Sequence, residues 1–445
     1  MSDKYAGLTQ AQLDAYWMPF TGNRQFKTDP RIITSAAGAY FTSADGRQIF
    51  DGLSGLWTCG AGHCRTEITE AVSKQLATLD YAPAFQYGHP KAFELAHRIT
   101  DFMPPGLDRV FFTGSGSEAV ETSLKLARAY WRKQGLPSKT QFIGRVKGYH
   151  GVNFGGISVG GIGVNRALFG GGVAADHLSH TLLPQNTFTK GLPEAGAEQA
   201  DELLELIALH DASNIAAVIV EPMAGSAGVL PPPQGYLQRL RKICDDHCIL
   251  LIFDEVITAF GRVGANTGAE AFGAVPDMLT IAKQLTNGAV PMGGVVTRRD
   301  IYDTFMAEGR QEYLLELPHG YTYSGHPVAC AAGLAALDIL EQEQLIARSA
   351  ALAPGLEERI HQLRGLPWVS DVRNCGMAAG ITIEAAPGEP LLRPYKIAME
   401  LWERGFYLRY SGDTLQLGPP FIAEAEDIDR LVDALGQSIL KVAAG

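Results

Sequence analysis

The stretch "ILLIFDEVITAFGR" runs from Ile249 to Arg262. Its first five residues are aliphatic or aromatic without a break, the pattern of a strand covered on both faces of a parallel sheet. Two acids follow, Asp254 and Glu255, and no basic residue comes before Arg262. A carboxylate at the end of a buried strand needs a partner, and the adjacent sequence offers none. Similar runs lie to either side: "NIAAVIVEP" (214–222), "MLTIAK" (278–283), "GGVVT" (293–297) and, upstream, "RVFF" (109–112). Helix-length segments separate most of them. In "SEAVETSLKLARAYW" (117–131), Val120, Leu124, Ala127 and Trp131 fall on one stripe. The expectation is an α/β chain with a mostly parallel sheet covered on both faces.

The ends read differently. "AYFTSADGRQIFD" (39–51) is a hairpin about Asp45-Gly46. Beyond about residue 330, "GMAAGITIEA" and "FYLRYSGDTLQLGPP" are strands, and "LLRPYKIAMELWERG" and "EDIDRLVDALGQSILKVA" are helices. That texture suggests a smaller α+β domain. The expected division is an N-terminal segment (1–60) that packs with the small domain, a large domain (61–328) and a C-terminal small domain (329–445). "GGISVGGIGVNRALFGGG" (155–172) is glycine-rich enough to be a mobile loop. It lacks the dinucleotide fingerprint and the acid that should follow it.

Composition narrows the class. Apolar residues make up 46% and charged residues 19%, with a net charge of −11, as in a soluble globular protein that binds neither nucleic acid nor membrane. The N-terminal "MSDKYAGLTQAQLDAYWMPF" lacks the basic and apolar regions of a secretory leader. Six scattered cysteines read as reduced thiols in a cytoplasmic protein. Two Cys/His triples, Cys59-His63-Cys64 and Cys244-His247-Cys248, lack the second cysteine pair of a zinc finger, so no metal is expected.

Ligands of open α/β sheets bind beyond the carboxyl ends of the strands. Asp254 lies at such an end, as do Glu221 in "VIVEP" and Lys283 in "LTIAK". Lys283 follows Asp254 by 29 residues, about one crossover connection, so both project into one crevice. A structural ion pair is the simpler reading, but buried pairs often do nothing for stability. "TGSGSEAVE" (113–121) adds a strand-to-helix turn whose free N–H groups bind phosphate, with hydroxyls from Ser115 and Ser117. A P-loop would need a lysine where Ser117 stands. "KGYHG" (147–151) places Tyr149 and His150 at another strand end, where an aromatic can stack on a planar ring. Together these call for a ligand with a phosphate, an aromatic ring, a basic ring nitrogen and a carbonyl that condenses with lysine. Pyridoxal phosphate has all four. Asp254 then has its partner in the ring nitrogen.

At this point the chain resembles a family. "LIFDEVITAFGR", "IAKQLTNG", "TGSGSEAVE" and "HGYTYSGHPVACAA" resemble the class III pyridoxal-phosphate aminotransferases of fold type I. "LSGLWTCGAGH", "APAFQYGHP", "HDASNIAAVIVEP" and "GFYLRYSGDTLQLGPPF" are similar to the ω-amino acid–pyruvate (β-alanine–pyruvate) group within it. The resemblance implies a seven-stranded sheet and an ω-transaminase moving an amino group to pyruvate. It implies that Lys283 carries the cofactor, Asp254 meets the ring nitrogen, Gly116 and Ser117 hold the phosphate, and Tyr149 and Val256 cover the ring's two faces. Thr322 would reach the cofactor phosphate of a neighbouring subunit, so the partner is a second copy in a homodimer, and tetramers are common in the group. Trp57 and Phe85 would line the substrate pocket, and Arg409, with Gln416 nearby, would bind the substrate carboxylate. Two departures stand out. Ser226 occupies the place of a glutamate that pairs with this arginine in relatives, which favours pyruvate over 2-oxoglutarate. Ala259 replaces a glycine, with an expected effect on the pocket wall. An aminomutase, racemase or decarboxylase on the same cofactor, and a non-catalytic phosphate-binding module, are the competing readings.

Overall fold

The structure, a computed structural model, describes residues 5–306 and 311–445. Among them lie three sheets. The central one has seven strands: β1 (Leu107–Thr113), β2 (Gln141–Arg145), β3 (Ala175–Leu178), β4 (Ile215–Val220), β5 (Leu250–Asp254), β6 (Met278–Ile281) and β7 (Gly293–Arg298). Their spatial order is β1-β7-β6-β5-β4-β2-β3. Every residue of β4 and of β5 is buried, which explains their unbroken aliphatic runs. β2 to β6 run parallel, and β7 runs antiparallel to both β6 and β1. The link from β6 to β7 (282–292) holds only the short turn Lys283–Thr286 and no crossover helix, so the chain turns back antiparallel.

Helix α1 (Gly116–Lys133) buries the expected stripe of Val120, Leu124, Ala127 and Trp131. Trp131 anchors it by donating Nε1–H to the Ala216 carbonyl at 2.7 Å. β3 escaped the sequence reading because it is a half-buried edge strand interrupted by Asp176 and His177. The glycine-rich 155–172 segment differs from the expected mobile loop. It forms two short helices, Phe154–Val159 and Gly163–Phe169. Its glycines permit close packing: a Cβ at Gly155 would lie 2.6 Å from the Glu121 carboxylate, and one at Gly156 would strike the His150 carbonyl.

A second sheet joins the chain's two ends. The expected hairpin (Tyr40–Ser43 with Gln48–Asp51) pairs with Ile33–Ala37 on one side and, in parallel, with Phe406–Tyr407 on the other. The third sheet is antiparallel, built from Val369–Cys375, Ala378–Ile383, Thr414–Leu417 and Arg409–Ser411. The long helix Pro327–Gln342 is buried along most of its length. Among the described residues no helix is long and apolar enough to cross a membrane.

Candidate active site

The carboxyl ends of β1, β2, β4, β5 and β6 all lie at one edge of the central sheet, and a cavity of about 310 Å³ opens there. It is bounded by the Gly114–Ser117 turn, Tyr149, Glu221, Asp254, Val256 and Lys283.

Asp254 ends β5 and is buried. Its Oδ2 accepts from His150 Nδ1 at 2.8 Å. Its Oδ1 accepts from the Thr280 hydroxyl at 3.1 Å and from the Val256 N–H at 3.2 Å. Thr280 is the register neighbour of Asp254 on β6, so the sheet itself delivers this bond. With Nδ1 donating, His150 Nε2 keeps a lone pair, and that atom is buried without a partner. His150 thus stands behind Asp254 and not in the cavity wall.

The second acid of the opening motif has another task. Glu255 is fully buried and accepts from the Thr258 hydroxyl at 2.8 Å and from the N–H groups of Ala269 (2.7 Å) and Gly268. It therefore caps the helix Gly268–Phe272. Burial pushes its carboxyl up to about 7, against the pull of those donors. Glu221, just beyond β4, accepts from the N–H groups of Tyr149 at 2.9 Å and Gly225 at 3.0 Å. Burial raises its carboxyl too, with the charge of Asp254 adding to the effect.

Lys283 begins a short helical turn after β6 with φ +49°. Burial pulls its amine down to about 8, while the charges of Asp254 and Glu221 hold it from falling further. At the opposite wall, Ser115 caps α1 by accepting from Glu118 N–H at 3.2 Å. The first-turn N–H groups of Gly116 and Ser117 have no carbonyl four residues back and sit at the positive end of the helix dipole.

The substrate-side residues are more dispersed. Arg409 is half-buried and stands opposite Gln416 in the third sheet. Burial raises the Tyr149 phenol and lowers the Lys283 amine; the charge of Arg409 reaches both, offsetting part of the first shift and adding to the second. Gln416 is fully buried and donates to the Ser226 carbonyl at 2.9 Å. Trp57 is 2% exposed and lies behind the wall, packed with Ile257; its neighbour Thr58 lines the cavity instead. Phe85 is 56% exposed, and Thr322 is also exposed, its carbonyl accepting from Tyr81 hydroxyl at 3.1 Å. Both lie outside the cavity of the single chain. Ala259 sits in the main core and not at the pocket wall, contrary to the expectation for its extra methyl.

The profile of the family "Aminotransferase class-III" matches residues 21–439. The chain belongs to the class-III aminotransferases. It is 59% identical over 436 residues to the β-alanine–pyruvate aminotransferase of Pseudomonas aeruginosa, covering 98% of this chain and 97% of the relative. It is 54% identical to an omega-aminotransferase of Caulobacter vibrioides, over 95% and 96% of the two chains. Among solved structures, a thermostable (S)-enantioselective omega-transaminase from Thermomicrobium roseum superposes with a TM-score of 0.92 at 32% identity, over 99% and 100% of the chains. A PLP-bound amine transaminase from an uncultivated Pseudomonas species gives 0.88 at 36%, over 96% and 98%. The fold is therefore fold type I, and pyridoxal phosphate is the aminotransferase's cofactor.

The residues present fit that group. The aminotransferase's cavity brings together a depressed lysine amine, a helix start suited to a phosphate and a carboxylate bound only by neutral donors and His150. Glycines shape the cradle: a Cβ at Gly116 would lie 3.1 Å from both Val256 methyls, and one at Gly151 would lie 2.8 Å from Ser117 Cα. Thr280 was missed in the sequence, although a lone polar residue inside "MLTIAK" was the available signal. The tasks of Glu255 and Thr58 had no such signal.

Proposed function

We propose that this aminotransferase is an ω-transaminase. It moves the amino group of a β-alanine-like ω-amino acid or amine to pyruvate, giving a semialdehyde, aldehyde or ketone and L-alanine. The observation that carries this reading is the pairing of the depressed Lys283 amine with the buried Asp254 carboxylate in one cavity, with Arg409 near by and making no ion pair among the described residues. Ser226 supports a monocarboxylate acceptor, since no glutamate stands there to occupy Arg409. The names of the Pseudomonas and Caulobacter relatives support the same substrates.

Bound pyridoxal phosphate supplies the electron sink for the bond broken at the donor's amine-bearing carbon. The chain's own groups do the rest. Asp254, fixed by His150, Thr280 and Val256, holds a proton on the cofactor's ring nitrogen. Gly116 and Ser117 would hold the phosphate, and Tyr149 and Val256, which line the same cavity, would flank the ring. Lys283, with an amine near 8, is a competent nucleophile at neutral pH and then carries the proton taken from the donor. Arg409 orients the carboxylate with a planar two-donor fork. Donor and acceptor use the site in turn, so the kinetics are ping-pong.

A homodimer completes the reading, with Thr322 on an exposed aromatic rim beside Tyr81 and Tyr323. Six free cysteines support a reducing, cytoplasmic setting. The division at 60/61 and 328/329 places Arg409 and Gln416 in the C-terminal part; the pairing of Phe406 with Phe50 supports an N-terminal segment that packs with it. The test is a panel of amine donors with pyruvate or 2-oxoglutarate as acceptor, following alanine or glutamate. Equal or faster turnover with 2-oxoglutarate would overturn the acceptor assignment.

A further inference from the structure

Arg262 closes the motif "ILLIFDEVITAFGR" yet takes no part in the cavity. It is 2% exposed and forms no ion pair among the described residues. Its Nη1 donates to the Met377 and Pro419 carbonyls, both at 2.9 Å, and its Nη2 donates to Ser54 Oγ at 2.9 Å. The guanidinium lies 4.6 Å from the Phe421 ring centre and 5.6 Å from that of Trp57. Ser54 Oγ in turn donates to the Gly418 carbonyl at 2.7 Å, and Gly418 N–H to the Gly52 carbonyl at 2.7 Å. The Trp57 indole packs onto the Gly418 backbone so closely that a Cβ there would come within 2.6 Å of its Cε3.

One cation thus joins three stretches of chain distant in sequence. Two of them lead directly to the site. Trp57 precedes Thr58, a cavity residue. Gly418 follows the strand Thr414–Leu417, which holds Gln416, the register partner of Arg409. The Asp51 carboxylate, paired with His63, supports Arg262 only through its charge. A buried guanidinium with no direct ion pair is a costly way to fill space, since an apolar side chain would do so without desolvating a charge. What it offers is a planar, rigid fork that fixes three acceptors at set angles.

We propose that Arg262 is a positioning residue: through Ser54, Gly418 and the two flanking rings, it sets the position of the Arg409–Gln416 strand pair relative to the cavity. It thereby governs affinity for the carboxylate of the acceptor. The inference rests on the reading of Arg409 given above, and the experiment separates the two.

The holoenzymes of Arg262→Lys, Arg262→Met, Ser54→Ala and Arg409→Met are assayed for kcat and for KM of pyruvate, with cofactor affinity measured by dialysis. For Arg262→Lys the expected result is a pyruvate KM raised about tenfold or more, kcat within about threefold, and unchanged cofactor affinity. Ser54→Ala should move the same parameter by about threefold. If Arg262→Met does not fold, Arg262→Lys and Ser54→Ala decide. A general loss of kcat or thermal stability with an unchanged pyruvate KM overturns the proposal and leaves Arg262 purely structural. An unchanged pyruvate KM in Arg409→Met overturns the underlying reading of Arg409 instead.

Discussion

Replacing Asp254 by Asn removes the charge of this acid and almost nothing else. Oδ1 keeps its bonds from Thr280 and the Val256 N–H. The new amide faces His150 Nδ1, which must change tautomer to accept from it and leaves a buried Nε2–H without a partner, a cost of about 1–3 kcal/mol. Against this, one of three crowded carboxyls loses its charge, since Asp254 pushes both Glu221 and Glu255 upward. The apoprotein should therefore change in stability by no more than about 2 kcal/mol, and a denaturant melt checks that it folds. Catalysis should suffer far more. An ion pair in contact in a partly buried site is worth about 4 kcal/mol, of which a neutral hydrogen bond to the ring nitrogen retains about 1. The remaining loss of about 3 kcal/mol is roughly a hundredfold fall in turnover. The assay is the initial rate of alanine formation at saturating donor and pyruvate. A folded Asp254→Asn enzyme turning over within about tenfold of the parent would refute the assigned role.

Further outcomes follow from the same geometry. In the apoprotein the folded-state pKa of Lys283 is lowered to about 8 from an unfolded value of 10.5. The unfolded chain holds the extra proton between those values, so stability should rise across that window by up to about 1.4 kcal/mol per pH unit. Denaturant melts of the Lys283→Met apoprotein should lack that rise. His63 behaves oppositely: burial alone would lower it, but Asp51, at 2.7 Å from Nε2, and Cys59 together outweigh burial and lift it to about 10. Its stabilisation is complete below pH 6.5 and is lost as pH rises through about 10, a decline that His63→Gln should abolish. Gly151→Ala forces a Cβ to 2.8 Å from Ser117 Cα at a backbone φ of +85°. Cofactor affinity by equilibrium dialysis should fall about tenfold or more, while Gly135→Ala, at a similar φ but in open space, should leave it unchanged.

Much of this molecule is legible in the chain because the physics involved is local. Unbroken aliphatic runs mark β4 and β5, since strands buried on both faces tolerate nothing else. A 3.6-residue stripe marks α1. Acids and a lysine at strand ends mark the crevice, because polar side chains are affordable there only if a ligand or water meets them. The same locality explains the misses. β3 is a polar edge strand, and the 155–172 glycines serve close packing with Glu121 and His150, partners that no window of sequence contains.

By itself, then, the sequence determined the parallel sheet, the helix start suited to phosphate and the Asp254–Lys283 pairing, each written as residue type at fixed spacing. Only the tertiary structure decided what the adjacent acid Glu255 does, which donors hold Asp254, and that Trp57 lies behind the cavity wall while Arg262 joins three distant stretches. Those outcomes depend on which strand lies beside which and on how closely the backbone approaches itself. Such contacts are set by the whole packed chain and leave no periodic trace in any one part of it.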